Sequence, residues 1–274
     1  MPSRWFLPIP RLDPARVKPE FIHATFTAWF DKSEAAPAED PEDATAGVVG
    51  DVGRPEHRNQ IKPYAFSRPY VNGSGESGIE FGLLTAHAEH LFLDAVGEPR
   101  EVRLGNQIRE SGMPRLVERA SYAQLAARAS DQHWRISLDT PATFRAGRNF
   151  SPLPSVRALF SGLRSKWQEL SDVPLPADTD QACSVYVSYF DLRMVPGTVR
   201  FRPGDEPSAV PGSTGTLEVR CPNPTEAAVV GPLLHLANFS GVGAYTAWGF
   251  GVARVTVREK GGATDRAVDH GHAG

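Results

Sequence analysis

The chain has 274 residues, with 29 Lys and Arg against 32 Asp and Glu, 25 Gly, 24 Pro and 2 Cys. That length allows one large domain or two small ones with real cores, and 41% hydrophobic residues with 9% aromatics mark a globular chain rather than a disordered one. No apolar run reaches the ~18 residues of a membrane span, the start MPSRWFLPIPRLD lacks the uninterrupted apolar core of a signal peptide, and Cys183 with Cys221 are too few for a disulfide framework or a zinc knuckle. A reducing, cytoplasmic setting is therefore expected.

A net charge of −3 speaks against a nucleic-acid binder only if it is evenly spread. It is not. Residues 31–56 (DKSEAAPAEDPEDATAGVVGDVGRPE) hold eight acids and two bases, no apolar periodicity and much Ala and Pro, which reads as a long acidic loop at −6. The remainder sums to +3, and residues 133–170 alone carry +4.

In chain order, residues 4–12 read as a strand weakened by two prolines. Residues 19–31 (PEFIHATFTAWFD) read as a helix, with Phe21, Ile22, Phe26, Trp29 and Phe30 at helical spacing and Pro19 suited to the first turn. Strands are expected at 63–71 and 78–85 around the turn sequence NGSG, then a helix at 86–95 and a strand at 100–109. That order, β-α-β-β-α-β, is the ferredoxin-like unit. The second half repeats it. His133–Leu138 alternates like a strand. Residues 155–170 form an amphipathic helix with Val156, Leu159, Phe160, Leu163, Trp167 and Leu170 on one side and Ser155 as the cap. Strands follow at 183–195, 197–202 and 214–221, then a helix at 225–237 interrupted by Pro232, and a last strand at 250–258. The fold class expected is α+β, two tandem ferredoxin-like (RRM-like) domains. The first spans 1–127 and carries the acidic loop 31–56. The second spans 128–260, and a disordered tail follows at 261–274. The halves share architecture without residue-level identity.

The densest signal is Phe239–Val255, FSGVGAYTAWGFGVARV. Gly241, Gly243, Gly249 and Gly251 stand here in two Gly-x-Gly pairs between a helix and the last strand. Glycines so placed permit positive φ and close backbone approach, so the loop is either a packed turn or a phosphate-cradling loop. Tyr245 and Trp248 inside it either stack on bases or pack the loop.

This segment resembles the C-terminal glycine-rich loop of the CRISPR-associated repeat-associated mysterious protein (RAMP) superfamily. More narrowly, the chain resembles the repeat-processing endoribonucleases of that superfamily, the "Cas six" type. Thr140–Arg148 (TPATFRAGR), with Leu153-Pro154-Ser155 and the helix VRALFSGLRSKW, is similar to the stretch that opens the family's second domain. Lys62-Pro63-Tyr64-Ala65-Phe66-Ser67 is similar to its KPF-T-F-S strand, and Phe21–Phe30 to its first helix. The resemblance runs in order over nearly the whole chain. It implies two ferredoxin-like domains side by side and metal-free cleavage of CRISPR precursor RNA within repeats. The products it implies are a 2′,3′-cyclic phosphate (or 3′-phosphate) and a 5′-hydroxyl. It implies no cofactor, no membrane and no DNA, and a CRISPR effector complex as a further partner. The acidic stretch 31–56 departs from the family's shorter connection.

Metal-free RNA cleavage needs a proton taken from the 2′-hydroxyl, a proton given to the 5′-oxygen and a cation beside the phosphorane. Imidazole, with a reference pKa of ~6.5, can do either proton transfer. Taken alone, His57 reads as a solvated loop histidine and His23 as a core-edge one; the resemblance makes His57 the principal acid/base and His23 its partner. Lys62, in the matched KP context, is the candidate transition-state cation and Arg58 a weaker substitute. Arg145 and Arg148, in the loop ATFRAGRN, are the candidate phosphate contacts, with Gly241, Gly243, Tyr245, Gly249 and Gly251 completing the RNA-binding set. His87 and His90 form a His-x-x-His pair with no evident third ligand, so no metal site is expected. The alternative is a non-cleaving RAMP subunit that binds RNA in a CRISPR ribonucleoprotein, and a metal-dependent nuclease is the third reading.

Overall fold

A computed structural model describes residues 1–30, 61–128, 131–147, 149–175, 184–201 and 204–258. The acidic loop, His57, Arg58, Arg148, Cys183 and the tail 261–274 lie outside the described residues.

The first unit begins with β1 (Ser3–Pro8) and α1 (Pro19–Phe30), whose Ile22, Phe26, Trp29 and Phe30 are buried as the spacing predicts. β2 (Tyr64–Phe66) and β3 (Tyr70–Val71) are two short strands on β4 (Ser77–Leu83), not one continuous strand over 63–71. Ser67 separates them from its place against Glu80, its amide and hydroxyl both engaged with that residue's backbone, and Pro69 cannot donate to a ladder. At the NGSG turn, the Asn72 side chain accepts from the amides of Ser74 and Glu76. α2 (Ala86–Val96) starts at Thr85, which caps Ala88 N–H.

The expected strand at 100–109 is instead a separate hairpin, β5 (Glu101–Leu104) and β6 (Gln107–Glu110). The chain reverses at Gly105, with φ of +68°, where a side chain would strike the Phe21 ring. The fourth strand of the sheet is β7 (Arg115–Arg119), which pairs with β1. The sheet order β2-β4-β1-β7 is the ferredoxin-like order.

A short helix, α3 (Tyr122–Ala126), begins in a Ser121–Gln124 capping box, and its Tyr122 and Leu125 pack into the second core. The second unit then runs through β8 (His133–Ala142), a hairpin of β9 (Phe144–Ala146) and β10 (Asn149–Ser151), and α4 (Val156–Leu170) with Ser155 capping Ala158 N–H. β11 (Tyr186–Val195) follows. The expected strand at 197–202 is reduced to β12 (Thr198–Val199), paired with β13 (Ser208–Ala209). Next come β14 (Gly212–Arg220), α5 (Pro224–Ser240) and β15 (Ala253–Val257). α5 contains Pro232 as a buried residue without ending there. The sheet order β11-β14-β8-β15 repeats that of the first unit. Among the described residues no helix is long and apolar enough to cross a membrane.

The two units are joined face to end. In β4, Ile79, Phe81 and Leu83 fill the first core, while Gly82 meets the end of α5. A Cβ on Gly82 would lie 1.7 Å from the carbonyl oxygen of Phe239, so only glycine allows this approach. Beside it, the Glu80 carboxylate accepts from Arg254 and from Tyr70 at 2.5 Å each, with Arg4 Nε at 3.6 Å. Glu80 thus holds an arginine from each unit at a largely water-excluded junction.

Candidate functional site

Residues 241–251 fold as a loop that leaves α5, touches the first unit and returns as β15. All four glycines named from the sequence have positive φ. At Gly251 a Cβ would stand 1.9 Å from the Val242 carbonyl oxygen, and at Gly243 2.3 Å from that of Thr143. The amides of Gly241, Val242, Ala244, Trp248, Phe250 and Gly251 donate to protein carbonyls. The glycines therefore shape the loop first, and those six amides are already committed rather than directed at a phosphate.

The turn of 3₁₀ helix at Thr246–Trp248 carries the loop's contact with the first unit. Ala247 is buried in the first core. Trp248 stacks on His23 of α1, with ring centroids 4.0 Å apart at 12°. His23 Nδ1 lies 3.2 Å from the Ala247 carbonyl oxygen and 3.0 Å from Thr27 Oγ1. In the tautomer whose Nδ1–H donates to that carbonyl, Nε2 is the nitrogen that can take or give a proton; in the other, Nδ1 accepts from the Thr27 hydroxyl. The loop of the second unit thus orients a histidine of the first.

Tyr245, which precedes this turn, is a non-glycine residue with φ of +61°. Its ring lies 5.1 Å from Phe150 and 5.6 Å from Phe201, and Phe201 lies 5.6 Å from Trp248. Arg145, exposed on β9, sits over Phe150 at 5.5 Å. A run of rings therefore connects the basic β9–β10 hairpin to His23. Burial pushes the Tyr245 phenol up, and Arg145 opposes this.

Lys166 lies off the apolar stripe of α4, where a solvated helix charge is the ordinary expectation. Its ammonium instead reaches 2.8 Å from the Ser240 carbonyl oxygen and 3.3 Å from Thr246 Oγ1, tying α4 to both ends of the loop's approach. The stem is part-exposed, but the charged end is enclosed, and desolvation lowers its pKa to about 8.

Lys62 is half-buried just before β2. α1 and β2 run antiparallel: Phe30 stacks on Tyr64, Phe26 packs on Phe66, and Ile22 shares the Gly249 contact with Arg68. Lys62 therefore lies beyond the Phe30 end and His23 near the other. The helix between His23 and Phe30 alone spans about 10 Å, so the two backbones are not brought together. Of the other histidines, His235 is buried and meets Asp131 at 3.1 Å, while His90 is exposed and paired with Asp94 at 3.3 Å. Among the described residues no three His, Cys, Asp or Glu side chains are grouped so as to hold a metal ion.

Sequence reasoning missed the open face of the second sheet. Arg135, Tyr186, Ser188, Tyr189, Arg220 and Arg258 line an open concavity of about 510 Å³, with Glu218 as its one acid. Tyr186 pairs in register with Arg220, and Tyr189 with Glu218. The alternation of HWRISL already set Arg135 opposite the buried Trp134 and Ile136; its neighbours on that face come from distant strands.

Two ferredoxin-like units, with a glycine loop between the last helix and the last strand, are the architecture that the sequence resemblance led one to expect. Residues 136–253 match the family model described as CRISPR-associated endoribonuclease Cas6. Among solved structures, a Cas6 product complex superposes with a TM-score of 0.72 at 19% identity, covering 93% of this chain and 99% of that one. Thermus thermophilus Cas6 gives 0.60 at 22% identity, covering 93% and 98%. A structure described as an RAMP protein binding different RNA substrates gives 0.54 at 10%, covering 93% and 99%. The resemblance drawn from the sequence is thereby borne out, and the likeness to the solved structures is one of fold. Comparison with curated proteins gives no sequence match.

Proposed function

We propose that this protein is a metal-independent endoribonuclease of the Cas6 family that cuts CRISPR precursor RNA within its repeats to yield guide RNAs. The observation that carries the reading is the seating of the glycine loop, part of the segment that matches the family, directly on His23.

In this reading, one imidazole removes the 2′-hydroxyl proton as that oxygen attacks the adjacent phosphorus, and a second group protonates the departing 5′-oxygen. The P–O5′ bond breaks and a 2′,3′-cyclic phosphate remains. His57 is the principal acid/base and His23 the second, acting through Nε2. Lys62 is retained as a candidate cation that would reach the phosphate from the far end of α1. Arg145, Arg148 and the rings of Tyr245 and Phe150 would hold the strand that leads to His23, with Arg58 beside His57. The aromatic and basic concavity of the second sheet suits unpaired bases and their phosphates. A cytoplasmic location and assembly with other CRISPR proteins accompany this reading.

The separation of Lys62 from His23 keeps the second reading in play, a RAMP subunit that binds repeat RNA without cutting it. Purified protein is incubated in EDTA with repeat RNA and with the same RNA lacking the 2′-hydroxyl at the cut. Cleavage of the ribose substrate alone supports the enzyme. Binding of both without cleavage supports the subunit, and cleavage abolished by EDTA overturns metal independence.

A further inference from the structure

Three arginines reach the domain junction, and two of them are paired. Arg4 meets Glu118 at 3.1 Å and Glu80 at 3.6 Å, and Arg254 meets Glu80 at 2.5 Å and Asp139 at 3.3 Å. Arg68 has no such partner among the described residues: none of their carboxylates lies within ion-pair distance, and its Nε is buried without a hydrogen bond. The side chain lies with its guanidinium 4.9 Å from the centre of the buried Phe250 ring. Its stem closes on the glycine loop, since a Cβ at Gly249 would stand 3.1 Å from Arg68 Cγ and 3.2 Å from Cδ1 of Ile22, the residue before His23. Burial also lowers the pKa of this guanidinium, with no opposing charge to offset it.

A half-buried cation without a partner destabilises the protein that holds it. Its stem lies between Ile22 of α1 and Gly249 of the loop, the sequence neighbours of His23 and Trp248, and its guanidinium lies over the Phe250 ring. We propose that Arg68 binds a backbone phosphate of the RNA next to His23, the planar fork taking two phosphate oxygens where the protein supplies no carboxylate. This rests on the RNA-processing reading and adds to it a residue that the sequence motifs passed over. Arg68 fixes the register of the strand at His23, and the phosphate completes the charge balance of the junction.

The test uses the full-length protein and a repeat RNA with a 2′-deoxy sugar at the cut, and compares wild type, Arg68→Met and Arg68→Lys. Methionine keeps the apolar stem on Phe250 and Gly249, so Arg68→Met is expected to keep or raise the Tm while binding RNA about ten- to a hundredfold more weakly. Arg68→Lys restores part of the affinity. Replacing phosphates one at a time by methylphosphonates should reveal one position that weakens wild type but not Arg68→Met. A lower Tm with unchanged affinity in Arg68→Met would make Arg68 structural and overturn the proposal, as would methylphosphonate sensitivities identical in the two proteins. Failure of wild type to bind the repeat at all would instead overturn the RNA-processing reading itself.

Discussion

The imidazole of His23 is stacked on the indole of Trp248 across the domain junction, 4.0 Å between centroids, with its Nδ1 held by the Ala247 carbonyl oxygen at 3.2 Å. The ring belongs to α1 of the first unit, and both partners belong to the loop of the second. Docking of the two units is therefore what orients this histidine.

Trp248→Ala should act on cleavage through His23. His23→Ala is expected to lower the single-turnover rate ~10²–10⁴-fold with little change in RNA affinity. Trp248→Ala, which frees the ring to tilt, is expected to cost up to ~10²-fold. The double variant should be no slower than His23→Ala alone. Additive losses in the rates would show that Trp248 acts independently, for example on a base.

Gly82→Ala tests the docking itself. The added methyl would fall 1.7 Å from the Phe239 carbonyl oxygen, which is backbone and cannot turn aside. Overpacking of this kind costs about 1–3 kcal/mol or more. Differential scanning calorimetry should show a lower Tm, and cleavage should fall with it. A variant as stable as wild type would mean that the two units do not meet at this strand.

Glu80 ties Arg4 of the first unit to Arg254 of the second. Glu80→Ala removes the carboxylate that Arg4 and Arg254 share, but leaves Arg4 with Glu118 and Arg254 with Asp139, so it is expected to destabilise by about 1–3 kcal/mol. Urea titration should show the midpoint fall, and 1 M salt should recover little of it, because a shielded pair is poorly screened. Loss of well under 1 kcal/mol would place the carboxylate in free contact with water.

Lys166 gives a pH signature. Its folded pKa, lowered to about 8 from an ordinary 10.5, means that the unfolded chain binds the extra proton between those values. The penalty of its buried charge is fully present below pH 8 and is relieved as pH rises toward 10.5. Stability relative to Lys166→Met should therefore increase over that window. Parallel pH profiles for the two proteins would contradict a desolvated ammonium at this site.

On the second sheet, Arg135→Ala with Arg220→Ala should weaken binding of single-stranded repeat RNA and lower the slope of log K against log salt by about 1.4, or ~0.7 per lost phosphate contact. Fluorescence anisotropy across a salt series checks this, and an unchanged slope would remove this face from the RNA path.

What the sequence made legible was local. The Ser155 cap, the spacing of Leu159, Leu163 and Trp167, and the aromatic face of α1 are short-range patterns, and each is realised. β7 was hidden because Leu116 and Val117 are both exposed, so no alternation marks it. The hairpin at 101–110 did leave a local signal, the two-residue Gly105-Asn106 turn between Leu104 and Gln107, but the runs on either side are only four residues each and read as one strand. At the site, the loop glycines were visible as a motif, but their main work is close packing. Lys166 and Arg68 look like ordinary surface charges in sequence. One is defined by a carbonyl far along the chain and the other by a carboxylate that is missing, and neither leaves a local trace. His57, on which the resemblance places the main role, lies outside the described residues.

The central claim is metal-free transesterification of repeat RNA, and the ends of its products report on it most directly. Repeat RNA is cleaved in EDTA by wild-type protein and the fragments are weighed by mass spectrometry. The expected result is one cut per repeat, leaving a 2′,3′-cyclic phosphate on one fragment and a 5′-hydroxyl on the other. A 5′-phosphate, or RNA that is bound and recovered intact, would contradict it.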